Sequence, residues 1–214
     1  PPPAAAGGGA GAGSGAAWNA AEVPALPACV SYAAAAWLRG RFYLTGGEDT
    51  EKQVLCWDPA KLGVGWQRVA EMLTGRREHA AVVIGGSLYV IGGDDGGRLA
   101  SVERYDPDQN AWVAVSPMAT TRCGVMAAVL DGRIIAVGGY DNGGNFLRSC
   151  ESYDPGANKW EALPDMSTAR YMPAATVLGG RLWVTGGGGA DFIKQTSVEV
   201  FDPATNAWDR SKAP

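Results

Sequence analysis

Three arginines recur at one position of this chain and have the chemistry to bind carboxylates. Arg76, Arg122 and Arg170 each lie 16 residues before a pair of glycines, and Val30 takes the same place nearest the N-terminus. A guanidinium offers a planar fork of donors that matches a carboxylate. Side chains at equivalent positions of a repeat point the same way, so we expect these three to ring one face of the fold. The alternative is a structural role, in which they bond backbone carbonyls of the neighbouring unit.

The loops that follow the glycine pairs supply further candidates on the same face. Aspartate, asparagine and tyrosine can contact a partner there, although aspartate and asparagine next to glycine are also ordinary turn residues. The candidates in these loops are Asp94, Asp95, Tyr140, Asp141 and Asn142.

Catalytic signatures are weak by comparison. His79 is the only histidine, and its setting in Arg-Arg-Glu-His-Ala favours a structural role. A serine hydrolase would need His79, and no G-x-S-x-G motif supports one. The glycine runs end strands and do not open helices, which argues against a phosphate-binding loop. We therefore predict no catalytic residues, no metal site and no cofactor.

An internal repeat must position these residues. Five tryptophans are separated by 48, 46, 48 and 48 residues, and the glycine pairs by 46, 46 and 48. Two markers with one period indicate a repeat architecture. The tryptophans are Trp18, Trp66, Trp112, Trp160 and Trp208, and the glycine pairs are Gly46-Gly47, Gly92-Gly93, Gly138-Gly139 and Gly186-Gly187.

Each unit reads as four short strands. In the third unit, the apolar run GVMAAVL is followed by the hairpin turn Asp131-Gly132 and by the apolar run RIIAVGG. The segments SCESY and KWEAL complete the unit, with a turn between them that contains Asn158. Four antiparallel strands every 46 to 48 residues are typical of a β-propeller blade. The fold class is therefore all-β.

The units resemble the Kelch repeat in three markers, which are the glycine pair, a Tyr-Asp-Pro turn, and a tryptophan seven residues after the tyrosine. The tyrosines are Tyr105 and Tyr153. The pattern is most similar to the Kelch domains of BTB–Kelch adaptor proteins. That resemblance implies a partner-binding loop face, on which arginines placed like Arg76 hold acidic segments and a tyrosine placed like Tyr140 contacts partners.

The domain organisation follows from the same markers. Residues 1–17, rich in Ala, Gly and Pro, are predicted to be a disordered tail or linker. Residues 18–214 form the propeller, with blades at about 28–70, 78–115, 123–164 and 171–210. Residues 18–27 resemble a fourth strand without the other three of its blade. We therefore expect part of a larger ring of five to seven blades, with a closed four-bladed ring as the rival.

The composition limits the classes of partner that the protein can bind. The net charge is −4 and the pI is about 5.0, which argues against nucleic acid as a partner. No apolar run is long enough to cross a membrane. We predict a non-catalytic module that binds a protein or peptide, with an acidic segment as one candidate, within a larger assembly in the cytoplasm or cytoskeleton. The resemblance implies recruitment to a cullin-based ubiquitin ligase, and a structural scaffold fits equally well. The alternative is a Kelch-fold isomerase or metal-dependent hydrolase acting on a sugar or small metabolite.

Overall fold

The computed structural model describes residues 23–61 and 63–209, which form four antiparallel sheets of four strands each. Each sheet keeps its strands in chain order and is one blade. The blades are β1 Ala34–Leu38, β2 Arg41–Thr45, β3 Val54–Trp57, β4 Gln67–Arg68; β5 Ala80–Ile84, β6 Ser87–Ile91, β7 Val102–Asp106, β8 Ala111–Val115; β9 Met126–Leu130, β10 Arg133–Val137, β11 Cys150–Asp154, β12 Lys159–Leu163; and β13 Ala174–Leu178, β14 Arg181–Thr185, β15 Val198–Asp202, β16 Ala207–Asp209. The predicted all-β architecture of four-stranded antiparallel blades is confirmed.

Turn residues with positive φ close the hairpins as the sequence predicts. The turn between the first two strands of the third blade is Asp131-Gly132, with φ of 49° and 73°. Positive φ at both central residues matches the twist of the flanking strands. The turn between its outer strands places Asn158 at φ 51°, the left-handed region that asparagine tolerates. The first turn type recurs in all four blades, and asparagine at positive φ recurs in the last three, whereas the first blade has a longer outer turn with Gly63 at φ 78°.

The four blades pack in succession through their innermost strands, β1 on β5, β5 on β9 and β9 on β13. Each interface buries an apolar cluster, such as the one that joins Tyr89 and Ile91 to Ile134 and Tyr153. Within the part of the chain that the structure describes, no contact of comparable extent joins β13 to β1. The last residue of β9, Leu130, is 4% exposed, whereas its equivalent in β13, Leu178, is 66% exposed. The outward faces of the first and last blades are therefore uncovered.

The glycine pairs allow adjacent blades to approach closely. A Cβ on Gly92 would collide with the backbone carbonyl of Arg122 in the next blade. The second glycine, Gly93, donates its N–H to that same carbonyl at 2.8 Å. Gly46-Gly47 and Gly138-Gly139 do the same with the carbonyls of Arg76 and Arg170, respectively. At Gly186, by contrast, a Cβ would meet only the carbonyl of Gln195, at 3.9 Å.

The tryptophans also link neighbouring blades. The indole N–H of Trp160 donates to the carbonyl of Ser116 at 2.9 Å, just beyond the fourth strand of the preceding blade. Trp66 makes the equivalent bond to Pro24 at 3.1 Å. Residues 23–27 thus lie where the end of a fourth strand would lie, although they form no strand themselves. Trp18 and the predicted tail lie outside the described residues, and the larger ring stays a prediction.

Candidate functional site

One face of the propeller gathers most of the predicted site residues. In an antiparallel blade the first strand begins at the edge where the second strand ends. The segments that enter β5, β9 and β13 therefore pair with the loops that leave β6, β10 and β14. We call this surface the loop face and define it by the loops 46–53, 92–101, 138–149 and 186–197 with the segments 30–33, 76–79, 122–125 and 170–173.

The three predicted arginines are not exposed on the loop face. Arg76, Arg122 and Arg170 are 0% exposed. Arg122 donates from Nη1 to the carbonyls of Gly138 and Ser149, at 2.8 and 2.9 Å. The prediction that they contact a partner is therefore wrong. The structural alternative holds, with one correction: the carbonyls belong to the arginine's own blade and not to the neighbouring one.

Each buried arginine is neutralised by a glutamate that the sequence analysis missed. Arg122 pairs with Glu151 at 3.0 Å, and Arg76 and Arg170 pair likewise with Glu103 and Glu199, at 2.6 and 3.1 Å. A buried guanidinium is tolerated only with such a counter-charge. The first blade lacks both partners, since Val30 replaces the arginine and Leu55 stands at the glutamate position. The sequence contained a signal for these pairs, because the first unit lacks the arginine and the glutamate together.

The glutamates also connect the blades to the segments between them. Glu199 accepts hydrogen bonds from the backbone N–H of Ser167 at 2.7 Å and of Thr168 at 3.2 Å. Burial alone would raise the pKa of Glu199, but its hydrogen bonds from Ser167 and from Arg170 outweigh burial and lower that pKa. The same contacts recur at Glu103 and Glu151. The pairs are therefore part of the propeller framework.

Two of the predicted loop residues hold the loops together. Asn142 joins the third blade's loop to the second, because its side chain accepts from the N–H of Arg98 at 2.9 Å and donates to the carbonyl of Arg98 at 3.0 Å. Asp141 accepts from the N–H of Asn145 at 2.8 Å within its own loop. Burial would raise the pKa of Asp141, but hydrogen bonds from Asn145 outweigh it and lower that pKa.

The two predicted aspartates of the second blade differ in exposure. Asp94 is 7% exposed and pairs with Arg77 at 3.3 Å and with Arg98 at 3.8 Å. Asp95 is exposed. Asp94 therefore orders the loop, while the Asp95 carboxylate is directly accessible to a partner.

An aromatic cluster stands out on the loop face between the third and fourth blades. Tyr140, predicted as a contact residue, packs on Phe146 with ring centroids 5.0 Å apart. Phe192 lies 5.0 Å from Phe146 and 5.9 Å from Tyr171. All these pairs are edge-on, the favoured geometry for aromatic rings. Sequence reasoning missed the other three rings, because Phe146 and Phe192 lie in irregular loops and Tyr171 is an aromatic residue at a repeat position that the other blades fill with different residue types.

Tyr171 joins the fourth blade to the second across the loop face. Its hydroxyl donates to Glu78 Oε2 at 2.6 Å, which links the segment before β13 to the segment before β5, two blades away. Its ring covers Gly124, where any Cβ would collide with it. Burial and the Glu78 bond raise the pKa of Tyr171. The cluster is thus anchored to the second blade through Tyr171.

Comparisons with known proteins agree with this geometry. The model of the KLHDC2/KLHL20/DRC7 Kelch-repeats domain matches residues 31–214. The chain belongs to the Kelch-repeat family. Beta-scruin of Limulus polyphemus is 45% identical over 86 residues, which are 35% of this chain and 9% of that protein. Kelch-like protein 35 of Mus musculus is 40% identical over 90 residues, 41% of this chain and 15% of that protein.

A solved structure supports the same Kelch fold. The structure of YjhT superposes with a TM-score of 0.80 at 18% identity, covering 88% of this chain and 67% of that one. At that identity the likeness concerns the fold alone. The segments shared with the curated Kelch relatives span only a small part of their lengths.

The loops of this Kelch domain carry an excess of negative charge. Arg77, Arg98 and Arg148 are all engaged in ion pairs. Among the described residues of the four loops, five acidic side chains and two lysines form no ion pair, an excess of three negative charges. The acids are Asp49, Glu51, Asp95, Asp141 and Asp191, and the lysines are Lys52 and Lys194.

The described residues contain no group of three or more His, Cys, Asp or Glu side chains placed to hold a metal ion. Nor does any described helix have the length and apolar character needed to cross a membrane.

Proposed function

We propose that this Kelch domain is a non-catalytic module that binds a segment of another protein on its loop face. The observation that carries the proposal is that some polar groups are paired inside the blades, whereas others lie with the aromatic cluster on the loop face. The interior arginines and glutamates neutralise one another in ion pairs, while the aromatic cluster and the unpaired charges lie on one accessible surface. Aromatic residues at the centre of a contact surface with charges around them are typical of protein–protein interfaces.

Two roles fit such a module. One is substrate adaptor of a cullin-based ubiquitin ligase, and the other is structural scaffold. The relatives named Kelch-like protein and scruin support a protein-binding role in common. The proteins that co-purify with the full-length protein separate the roles, because an adaptor brings down ligase subunits and a scaffold brings down structural proteins.

The interaction face is tested by comparing variants on opposite faces. We expect the double variant Asp95→Arg/Met172→Asp to lose partners in affinity purification with mass spectrometry, since both residues are exposed on the loop face. The control is Asp108→Arg, on an exposed turn of the opposite face, where only the surface pair with Arg39 is lost. Retention of every partner by the double variant, or an equal loss in the control, would contradict the proposal.

We further propose that additional blades cover the two uncovered faces, giving the larger ring. The support is that Leu38, Ile84 and Leu130 pack against the following blade, while Leu178 at the same position does not. In a longer form of the protein, Leu178→Asp should then lower the melting temperature, while in this four-blade chain it should have little effect. Ile193→Asp is the matched control, because Ile193 is 64% exposed on the loop face. Equal effects of Leu178→Asp in both forms would refute the larger ring.

A further inference from the structure

The exposed end of the aromatic cluster is the most accessible apolar surface of the loop face. Phe192 is 65% exposed and Ile193 is 64% exposed, and they sit on a single 3-10 turn over Ala190–Phe192. Below them, Phe146 and Tyr171 are half-buried and contact the Phe192 ring edge-on. The cluster therefore presents one fully accessible ring supported by others that are fixed in place.

The backbone holds this ring in an unfavourable conformation. Asp191 and Phe192 have φ of 54° and 56°, in the left-handed region. A bulky side chain is uncommon there and costs free energy. The N–H of Phe192 donates to the carbonyl of Gly189 at 2.9 Å, and its ring contacts keep the turn in place. The fold thus presents an aromatic ring to solvent at a position where glycine would be the easier choice.

The electrostatics of the cluster favour a cation. The face of an aromatic ring carries partial negative charge and attracts guanidinium and ammonium groups. The cluster already accommodates one cation, since the guanidinium carbon of Arg98 lies 5.2 Å from the centroid of Tyr140. The Tyr171 hydroxyl donates a hydrogen bond to the Glu78 carboxylate, and this bond makes the Tyr171 ring more electron-rich. In the two loops beside the cluster, the unpaired Asp141 and Asp191 carboxylates outnumber Lys194, and the other unpaired loop acids lie on the first two blades.

We propose that the aromatic cluster of Tyr140, Phe146, Tyr171 and Phe192 binds an arginine side chain of a basic peptide segment in the partner protein. The guanidinium stacks on the Phe192 and Tyr171 rings, and the unpaired loop carboxylates attract the rest of the segment. This inference rests on the proposed function and gives its partner a positive charge. The prediction based on Arg76, Arg122 and Arg170 gave the partner an acidic segment instead. The buried arginines are already neutralised by glutamates, so they do not oppose it.

The test uses synthetic peptides of one Gly/Ser sequence with two guest positions. The guests are arginine, its uncharged isostere citrulline, glutamate or norleucine, and binding is followed by NMR titration of this chain at low ionic strength. We expect the arginine peptide to bind about fivefold more tightly than the citrulline peptide. Phe192→Ala should weaken the arginine peptide about two- to fivefold. The matched control Leu178→Ala, 66% exposed but far from the loop face, should leave binding unchanged.

Several outcomes would overturn the inference. Equal binding of the arginine and citrulline peptides would remove the charge requirement, and tighter binding of norleucine would make the site apolar. Equal effects of Phe192→Ala and Leu178→Ala would mean that the cluster is not the contact. Thermal melts of both variants verify that they remain folded. If these peptides fail while the Asp95→Arg/Met172→Asp variant still loses its partners, the inference falls and the proposed function stands.

Discussion

His79 gives the sharpest test of this structure, because it is the only histidine in the chain. It is 6% exposed at the interface of the first two blades. His79 Nε2 forms a hydrogen bond with Thr45 Oγ1 at 2.8 Å. Burial, with a contribution from the charge of Arg76, lowers the pKa of His79 to about 3. The folded state therefore holds a neutral imidazole throughout the mildly acidic range.

The sign of the effect follows from proton linkage. In the unfolded chain His79 titrates near pH 6.5, so below that pH the unfolded state binds a proton that the folded state refuses. Stability is then fully present above pH 6.5 and is lost as the pH falls toward the folded value. Between pH 7.5 and pH 5.0 one such histidine should lower the free energy of unfolding by about 2 kcal/mol.

Urea denaturation of the wild type and of His79→Gln at the two pH values measures this difference. The wild type should lose about 2 kcal/mol, and the variant, which carries no imidazole, should lose little of it. The comparison stops at pH 5.0 because carboxylates begin to titrate below that. A wild-type loss under about 0.5 kcal/mol, or an equal loss in the variant, would refute the burial of a neutral histidine.

Four further substitutions test the framework. Glu151→Gln should lower the free energy of unfolding by about 3–5 kcal/mol, because it leaves a buried guanidinium without its counter-charge. Arg133→Ala at a surface ion pair should cost at most about 1 kcal/mol, and equal costs in chemical denaturation would contradict the distinction. Gly124→Ala should cost about 1–3 kcal/mol by displacing the Tyr171 ring, which NMR of that ring would detect as a shift. Trp160→Ala should cost about 3–5 kcal/mol, and an unchanged melting temperature would count against it.

The candidate site was only partly predictable. Tyr140 and Asp95 could be placed on the loop face because a repeat puts equivalent positions on the same surface. The same logic identified Arg122 as one of a set but not the direction of its side chain. That direction depends on Glu151, 29 residues further along the chain, which offers a buried counter-charge. The repeat marks the arginine position and the glutamate position separately, so it does not show that the two side chains form a pair.

The sequence alone determined the local structure of each blade. The glycine pairs, the turns at Asp131-Gly132 and Asn158 and the alternation of the strands specify a four-stranded blade, because each depends on the conformational preferences of a few adjacent residues. Tertiary structure alone decided which polar groups became framework and which remained available. Burial enclosed Arg76 and its equivalents with glutamates and brought Tyr171 over Gly124 to Glu78. Those outcomes depend on which segments of different blades are buried next to one another. Residues that are far apart in the sequence meet there, so their contact cannot be deduced from their order in the chain.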